Sequence, residues 1–410
     1  MVRFSRKKKI KVKEINCKNI EQLLSTPGKP LTMLGEGSYG IAFQGCVDDL
    51  CEEQIGLKLI SLSRKYTIND KHPGKIELNI GLRLSKLYYN NITPHINLVY
   101  DGILCKLEDL RENMFTIQNT DWLSNKNYNI LNNINNRKYH DEVMVIFNEK
   151  ADSDFKKYYQ TNIENNTPIT YEENILCLFT FCYTLSCIQY YIPGFRHNDI
   201  KPNNFLISVN KNYNNEKGKF VCYKIFGKEF YIPAMRFILK FHDFDFCNSD
   251  EFKNEKIHTF DKNGFYKIGT NPAHNPCFDL HEYINFFFRD CAPYESDPNI
   301  LNTLRMLIDN PSQNITGIFG KDNHYTTRYK LTAYKMTENS NIPLIEQSNY
   351  IPPNMKTPSE LLLSFEEFLK YQNQNQTKDV IRTYDSKIDF SKEHFKRDDM
   401  FNTLLLSNNE

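Results

Sequence analysis

Short apolar runs separated by a polar turn mark the first clear elements of the chain. Residues 41–43 and 55–60 are almost entirely apolar, and Gly45 with a polar turn lies between them. This pattern predicts two β-strands joined by a turn. Residues 75–87 instead carry apolar residues at helical spacing and predict a helix.

The longest apolar run extends from Ile175 to Ile192 and holds eighteen residues without a charge. That length is close to the lower limit for a membrane span. Polar residues interrupt the run, however, and a helix buried on all sides of a large folded unit has the same composition. The interrupting residues are Thr180, Thr184, Ser186 and Gln189. We therefore expect a buried helix and no transmembrane segment.

Two regions have the composition of insertions. Residues 117–140 are rich in asparagine and weakly apolar, and residues 209–219 are polar and rich in turn formers. Short alternating runs, typical of strands, follow the second region up to Phe237. We expect insertions near 117–140 and near 209–237.

Composition and charge limit the class of protein. The chain has 410 residues, of which 40% are hydrophobic and 25% charged, so it is globular rather than fibrous or disordered. Its net charge of +1 argues against a surface that binds nucleic acid throughout. The first residues are nevertheless basic. They predict either a solvated terminus or an arm that contacts anionic membrane, nucleic acid or an import receptor. The basic residues that precede Glu14 are Arg3, Arg6, Lys7, Lys8, Lys9, Lys11 and Lys13.

The eleven cysteines do not predict a disulfide framework. They are scattered from Cys17 to Cys291, their number is odd, and no pair has CxxC spacing. Three of them lie in the longest apolar run, where a free cysteine acts as a small hydrophobic residue. No apolar signal segment follows Met1. We therefore expect a reducing, cytoplasmic compartment.

Three glycines, Gly35, Gly37 and Gly40, form the pattern GxGxxG just before the first predicted strand. Glycines at this spacing let the backbone approach a phosphate and direct amides toward it. The pattern alone is weak, because it also occurs in dinucleotide folds, where a helix follows, and in plain turns. Here a strand follows, so a hairpin that covers a nucleotide is the favoured interpretation.

Lys58 lies inside an apolar strand, where an unpaired ammonium group would be costly. A phosphate and a carboxylate would satisfy it. Glu77 lies on the predicted helix, 19 residues later. Either residue alone is more simply a surface charge, whereas the two together behind a glycine-rich hairpin favour a nucleotide site.

The segment Arg196–Ile207 carries the most specific polar pattern in the chain. Asp199, Lys201 and Asn204 are spaced so that all three can reach one phosphoryl group. The carboxylate can accept a proton from an attacking hydroxyl, the ammonium can neutralise phosphate charge, and the amide oxygen can bind a metal. These roles together predict phosphoryl transfer.

Two acids follow the apolar run that ends at Phe241. Asp243 comes almost directly after the run and is well placed to hold Mg²⁺, which prefers carboxylate oxygen. Asp245 is either a second ligand or a residue that faces solvent. Asp243 is the better candidate.

The order GxGxxG, Lys, Glu, HxDxKxxN and Asp-Phe resembles the eukaryotic-type protein kinase family over about residues 29–295. Lys201 is typical of the serine/threonine kinases. The Asp-Phe-Asp sequence at 243–245 and His274-Asn275 ahead of Asp279 are similar to the poxvirus serine/threonine kinases and their counterparts in other large cytoplasmic DNA viruses.

The resemblance implies a role for each matched residue. Asp199 would be the catalytic base, Lys201 would bind phosphate, Asn204 and Asp243 would hold Mg²⁺, and Asp279 would brace the catalytic loop. Lys58 would bind the α- and β-phosphates and pair with Glu77. The residues implied in ATP binding are Leu34, Gly35, Glu36, Gly37, Ser38, Tyr39, Gly40, Ile41, Ala42, Lys58, Glu77, Phe147 and Glu149.

Three departures from the family pattern affect regulation and substrate binding. Asn198 stands where the family usually has an arginine, so a phosphate-triggered activation loop is not expected. Asp245 stands where the family usually has the glycine of Asp-Phe-Gly, so the flexible hinge that this glycine provides is absent. No Ala-Pro-Glu sequence lies between Asp243 and Asp279. The resemblance therefore does not imply that the substrate groove is anchored as it is in the family.

The resemblance implies an α+β fold of two lobes, the first β-rich and the second mainly helical. We expect a basic extension over 1–28, the first lobe over 29–150, the second over 151–400 and a tail over 401–410. The expected function is an ATP- and Mg²⁺-dependent viral serine/threonine protein kinase in the host cytoplasm or the virion. A catalytically silent scaffold and a small-molecule phosphotransferase stay open as alternatives.

Overall fold

A computed structural model describes seven parts of the chain: residues 15–25, 31–36, 40–114, 137–258, 275–286, 356–373 and 379–389. The basic segment, residues 117–136 of the Asn-rich region and the tail lie outside the described residues. So do Cys291 and three residues of the glycine-rich pattern, Gly37, Ser38 and Tyr39.

The described residues up to Glu149 form one antiparallel sheet with accompanying helices. Five strands follow the order β1-β2-β3-β5-β4, and each neighbouring pair is antiparallel. The elements are α1 (Ile20–Leu24), β1 (Thr32–Glu36), β2 (Gly40–Cys46), β3 (Gln54–Ser63), α2 (Pro73–Tyr89), β4 (Val99–Lys106), α3 (Leu107–Met114) and β5 (Tyr139–Glu149). The strands predicted around residues 41–43 and 55–60 are confirmed as β2 and β3.

The middle strand β3 holds Lys58 between two neighbours. Lys58 is in register with Ala42 on β2 and with Ile146 on β5. Gly40 permits the close approach of β2 to β3, because a Cβ atom there would lie 2.5 Å from the carbonyl oxygen of Leu59. The sequence of β2 thus fixes how tightly the first hairpin packs beside the lysine.

The predicted helix at 75–87 is confirmed as α2. Pro73 is at its first turn, where the missing amide hydrogen costs nothing, and the ring Nδ1 of His72 accepts a hydrogen bond from the Gly74 amide at 3.1 Å. The buried face carries Ile76 and Ile80 together with Glu77. This face brings a carboxylate against β3.

The remaining described elements are mostly helical, with two small sheets. They are β6 (Ser153–Asp154), α4 (Phe155–Glu164), α5 (Tyr171–Tyr191), β7 (Phe205–Val209), α6 (Tyr213–Glu216), β8 (Phe220–Ile225), β9 (Lys228–Pro233), β10 (Phe237–Phe241), α7 (Glu255–His258), α8 (Phe278–Phe286), α9 (Pro358–Asn373) and β11 (Val380–Asp385). The sheets have the orders β10-β7-β6 and β11-β8-β9. The fold is therefore a mixed α/β arrangement.

Helix α5 contains most of the longest apolar run and is buried along nearly its whole length. A capping box between Thr170 and Glu173 starts the helix. The polar residues that interrupt the run form hydrogen bonds inside the protein. Thr184 shares a hydrogen bond with Thr93 at 2.9 Å, and the Gln189 amide donates to the carbonyl of Pro276 at 3.0 Å. The buried-helix prediction is confirmed. Within the described ranges, no helix combines the length and apolar character that crossing a membrane requires.

The region near 209–237 folds into α6 and the antiparallel pair β8–β9. The strand-like runs predicted up to Phe237 are thus confirmed. The sequence pattern did not predict that β11, from near the C-terminus, pairs in parallel with β8. Whether this region is an insertion relative to kinases stays a prediction.

Four cysteines differ from the expectation of free thiols. Disulfide bonds join Cys17 to Cys105 and Cys46 to Cys51, with Cα atoms 5.4 and 4.8 Å apart. Both separations are in the range that a disulfide bridges, and the first pair is 88 residues apart in sequence, so spacing could not reveal it. Six other cysteines are buried thiols: Cys177, Cys182, Cys187, Cys222, Cys247 and Cys277.

Candidate active site

A cleft of about 530 Å³ lies between the five-stranded sheet and the loops that flank β7 and β10. One part of its wall is apolar and includes Leu34, Ala42 and Leu206. Another part is charged and includes Lys58, Asp199, Lys201, Asp243 and Asp245. A flat apolar group joined to a polyanion fits such a division, and the volume is typical of small-molecule sites.

Lys58 lies between two carboxylates. Its ammonium group is 2.6 Å from Glu77 and 2.7 Å from Asp243. Lys58 and Glu77 are largely buried, with 17% and 6% of their side chains exposed, whereas Asp243 is 30% exposed. Burial acts to lower the pKa of Lys58, but the two carboxylates outweigh it and hold that pKa above its ordinary value. The lysine is a fixed cation at the cleft.

The two carboxylates differ in electrostatic environment. Burial raises the pKa of Glu77, and Asp243 acts in the same direction, although Lys58 opposes both. Burial also acts to raise the pKa of Asp243, but Lys58 and His242 outweigh it, and the pKa lies well below the ordinary range. Asp243 is therefore the carboxylate that stays ionised at any physiological pH.

Asp243 has a backbone conformation that residues other than glycine rarely adopt. Its φ is 63° and its ψ is 71°, in the left-handed region. Asn198 has the same φ of 63°. Strained residues of this kind cluster at functional sites, because the surrounding structure must hold them. Asp243 is part of the charged wall of the cleft, and Asn198 directly precedes Asp199 in that wall.

Asp199, Lys201 and Asn204 meet in one hydrogen-bonded group. The Lys201 ammonium lies 2.6 Å from the Asp199 carboxylate, and the Asn204 amide nitrogen donates to the same carboxylate at 2.8 Å. Pro202 begins a single 3₁₀ turn that carries Asn204 back toward Asp199. Because the amide nitrogen of Asn204 is used in these bonds, its amide oxygen is the atom suited to a cation.

Helix α8 braces the loop that carries Asp199. The Asp279 carboxylate accepts hydrogen bonds from the backbone amides of His197 at 2.7 Å and Asn198 at 3.0 Å. The Glu282 carboxylate accepts one from the Ile200 amide at 2.9 Å. These bonds fix the backbone on both sides of Asp199.

Asp245 is neither exposed to solvent nor paired with the other acids. Its side chain is 7% exposed and forms an ion pair with Lys256, which is 6% exposed. Among the described residues, no group of three or more His, Cys, Asp or Glu side chains is arranged to hold a metal. Neither alternative expected for Asp245 describes this buried ion pair.

The glycine-rich pattern is described only at its ends. Leu34, Gly35, Gly40 and Ala42 line the cleft. Ile41 is instead buried in the hydrophobic core behind the sheet, because side chains alternate between the faces of a strand. Gly37, Ser38 and Tyr39, and the side chain of Glu36, lie outside the described residues.

The end of β5 also differs in detail from the prediction. The Phe147 side chain is fully buried in the core and is not part of the cleft wall, for the same reason of alternation. Its neighbours Asn148 and Lys150 line the cleft, as does Glu149, whose carboxylate also pairs with Lys240 at 2.6 Å. Any contribution of Phe147 to nucleotide binding is thus indirect or made by its backbone.

Several residues of the site were not predicted from the sequence. Leu206 forms apolar wall, and Glu282 braces the loop. Arg196 is fully buried, with its guanidinium 4.1 Å from the centre of the Phe278 ring. Glu282 could have been found from its spacing, since it lies one helical turn after Asp279 on the same helix.

The residues present fit a magnesium–nucleotide complex. Asp243 and Asn204 offer the carboxylate and amide oxygens that Mg²⁺ prefers, and Lys58 and Lys201 offer cations for phosphate. Leu34, Ala42 and Leu206 offer apolar wall for a base.

Comparison with known proteins gives two relatives with kinase names, both from Acanthamoeba polyphaga mimivirus. The chain is 24% identical over 298 residues to "Putative serine/threonine-protein kinase R400", a match of 69% of this chain and 61% of the relative. It is 26% identical over 255 residues to "Putative serine/threonine-protein kinase R301", a match of 58% of this chain and 59% of the relative. No family model matches. The matches span about three fifths of the length of these curated relatives. The chain is thus similar to kinase-like proteins of a large DNA virus, and a specific kinship with poxvirus enzymes is not shown.

Proposed function

We propose that this protein is an ATP- and Mg²⁺-dependent kinase that transfers the γ-phosphate of ATP to serine or threonine hydroxyls of proteins. The observation that carries the proposal is the convergence of two polar groups on one cleft. Lys58 forms one group with Glu77 and Asp243. Asp199 forms the other with Lys201 and Asn204. The names of the viral relatives support the same activity.

Each group has a distinct task in phosphoryl transfer. Lys58, held by Glu77, binds phosphate oxygens. Asp199 accepts the hydroxyl proton and orients the attacking oxygen, and Lys201 neutralises charge on the moving phosphoryl group. Asp243 and Asn204 would hold Mg²⁺, which neutralises phosphate charge when bound.

The proposal includes a two-lobed kinase fold. The five-stranded sheet with α2 would form the first lobe, and the mainly helical remainder the second, with the cleft between them. Lys201 supports serine and threonine over tyrosine as acceptors. The narrower likeness to poxvirus kinases, the domain limits at 28, 150 and 400, and the insertions near 117–140 and 209–237 are parts of the same proposal.

Phosphate transfer from labelled ATP to a mixture of protein substrates tests the activity. We expect Mg²⁺-dependent labelling of serine and threonine. Asp199→Asn and Lys58→Met should each reduce the rate by on the order of 10²–10³. An exposed lysine of the same protein, Lys65→Met, provides a matched control that should retain the wild-type rate.

The alternatives give different results in the same assay. A silent scaffold would be stabilised by ATP without turnover, and Asp199→Asn would change nothing. A small-molecule phosphotransferase would label a sugar or an antibiotic but no protein. Either result would replace the protein kinase proposal.

The location and the partners also belong to the proposal. We place the protein in the host cytoplasm or the virion, consistent with its six buried thiols. Thiol titration of protein isolated from cytoplasm would show whether the two disulfides form there. The basic arm, residues 3–13, is a proposed contact for anionic membrane or nucleic acid, and its deletion should abolish any binding to anionic vesicles or to nucleic acid.

A further inference from the structure

A buried ion pair joins Asp245, in the charged wall of the cleft, to Lys256, which does not line the cleft. The Asp245 carboxylate and the Lys256 ammonium group form it, and both side chains are more than nine-tenths buried. The same ammonium group lies 3.8 Å from the centre of the Phe246 ring. Both partners are thus held in a closed, desolvated position, where an unpaired charge would be costly.

The segment that carries this pair is fastened at its backbone. The Asn254 amide nitrogen donates to the carbonyls of Asp245 at 2.8 Å and Cys247 at 2.9 Å. From the other side, the Asn198 amide donates to the carbonyl of Phe246 at 3.1 Å. The turn that follows Asp243 is therefore tied both to the residue just before α7 and to the loop that carries Asp199.

The same segment supports helix α2. The turn at residues 244–246 packs against α2. The Glu255 amide donates to the carbonyl of Lys71 at 3.1 Å, just before the helix begins. Glu77, on α2, experiences the negative charges of both Asp243 and Asp245.

Without Lys256, the acids in this region would outnumber the lysines that contact them. Glu77, Asp243 and Asp245 are three acids, and Lys58 contacts two of them. Without Lys256, the buried Asp245 would add an uncompensated negative charge beside Glu77 and would compete for Lys58. With Lys256 present, Lys58 stays available to the cleft.

We propose that Lys256 is a positioning residue, which neutralises Asp245 so that Lys58, Glu77 and Asp243 keep the arrangement needed to bind Mg·ATP. It acts through Asp245 and the turn at residues 244–246, not by contact with the nucleotide. The ion pair between Asp245 and Lys256 thereby fixes the turn at residues 244–246 in place. The inference deepens the proposed function and rests on it for the identity of the nucleotide.

The affinity for Mg·ATP, measured by titration with the full chain, tests the inference. Assays are run well below each variant's unfolding midpoint, so that all molecules are folded. Lys256→Met should weaken Mg·ATP at least about tenfold, because small displacements of binding groups have effects of this size or larger. The double variant Asp245→Asn/Lys256→Met should return to within about threefold of wild type, since no unpaired carboxylate remains.

Two further variants keep the test decisive. Lys256→Arg retains the cation and should bind nearly as wild type, and Lys256→Gln replaces Lys256→Met if the latter does not fold. Lys253→Met removes an exposed ion pair with Asp250 in the same segment and should leave the affinity unchanged. A merely structural pair would lower the unfolding midpoint without changing the affinity of the folded protein.

Wild-type affinity in folded Lys256→Met, or a double variant no better than the single one, would overturn the inference. A wild-type protein that binds Mg·ATP but transfers no phosphate would overturn only the proposed function, because the affinity series still decides the role of Lys256. Failure of the wild type to bind Mg·ATP would overturn both.

Discussion

The ammonium group of Lys240 lies 2.6 Å from the carboxylate of Glu149, and this ion pair joins β10 to the end of β5. Lys240 is 3% exposed and Glu149 is 22% exposed. Strand β10 leads to Asp243, while the end of β5 carries Asn148 and is followed by Lys150, and both line the cleft. The ion pair therefore links the strand that leads to the acidic wall with the strand whose end also lines the cleft.

Replacing Lys240 with methionine should destabilise the protein. Breaking a fully buried pair costs about 3–5 kcal/mol, and the partial exposure of Glu149 reduces our expectation to about 1–3 kcal/mol. Urea unfolding measures the difference. The double variant Lys240→Met/Glu149→Met, which leaves no unpaired charge, should recover part of the loss. A single variant as stable as wild type would show that the pair is not formed in solution.

Glu282 should affect turnover more than nucleotide affinity. Its carboxylate fixes the Ile200 amide, next to Asp199, and it lies on α8 rather than in the cleft wall. Glu282→Ala should lower kcat by about tenfold or more with little change in the KM for ATP. Glu282→Gln keeps an acceptor oxygen and should lose less. Glu251→Gln, at an exposed position, provides the control. Equal effects of Glu282→Ala on kcat and on the KM for ATP would contradict a role limited to positioning Asp199.

The comparison of Asp279 with Glu282 indicates how far the sequence could predict the site. Asp279 stood in a recognisable pattern, so its role was implied, whereas Glu282 could have been found only from its spacing of one helical turn after Asp279. Residues fixed by local spacing, such as Asp199 and Asn204, could be grouped from the sequence because they lie only five positions apart. The ion pair of Asp245 with Lys256 could not, since nothing in the sequence shows which buried charges will meet.

In the fold, too, the features that depend on local sequence could be predicted, and those that depend on contacts between distant segments could not. Periodicity predicted α2, α5 and the strands β2 and β3, because each depends on its own residues. The pairing of β11 with β8 depends on two segments far apart in the chain, and the order of the sheets on packing of the whole. Periodicity also could not decide which side chain of β5 faces the cleft, and there Phe147 lies in the core while Asn148 faces the cleft.

Treatment with a protein phosphatase should leave the rate unchanged. Asn198 carries no charge to bind a phosphate, and its amide already donates to the carbonyl of Phe246. Initial rates before and after phosphatase treatment test this, with intact mass confirming that phosphate has been removed. A rate that falls with dephosphorylation and recovers on incubation with ATP would show that a phosphorylated residue controls the activity.

The C-terminal strand should contribute measurably to stability. Ile388, just beyond β11, is 3% exposed and belongs to the large hydrophobic cluster around α5, and Arg382 pairs with Glu216 at 2.6 Å. Ile388→Ala should lower the free energy of unfolding by about 2–4 kcal/mol. The exposed Thr383→Ala should change it by less than about 0.5 kcal/mol. Equal stability of the two variants would show that β11 is not docked in solution.

His95 should make the protein less stable in weak acid. Its ring Nδ1 lies 2.8 Å from the carbonyl oxygen of Leu239, which can only accept, so Nδ1 carries the proton and Nε2 accepts from the Tyr223 hydroxyl at 2.8 Å. Burial lowers the pKa of His95 to about 4, despite the hydrogen bond to Leu239, which acts in the opposite direction. The folded protein thus holds this ring neutral.

Because the pKa of His95 is lower in the folded state than in the unfolded chain, the unfolded chain binds more protons between about pH 6.5 and pH 4. The free energy of unfolding should therefore fall as the pH drops through this window, by up to about 3 kcal/mol from this residue. Urea unfolding at a series of pH values measures the slope. His95→Gln removes the titrating group, so the variant should be less stable at pH 7 but lose less on acidification. Burial also lowers the pKa values of His72 and of His242, the latter to about 4, so part of the slope should persist. Identical slopes for the variant and the wild type would mean that His95 is not buried as a neutral ring.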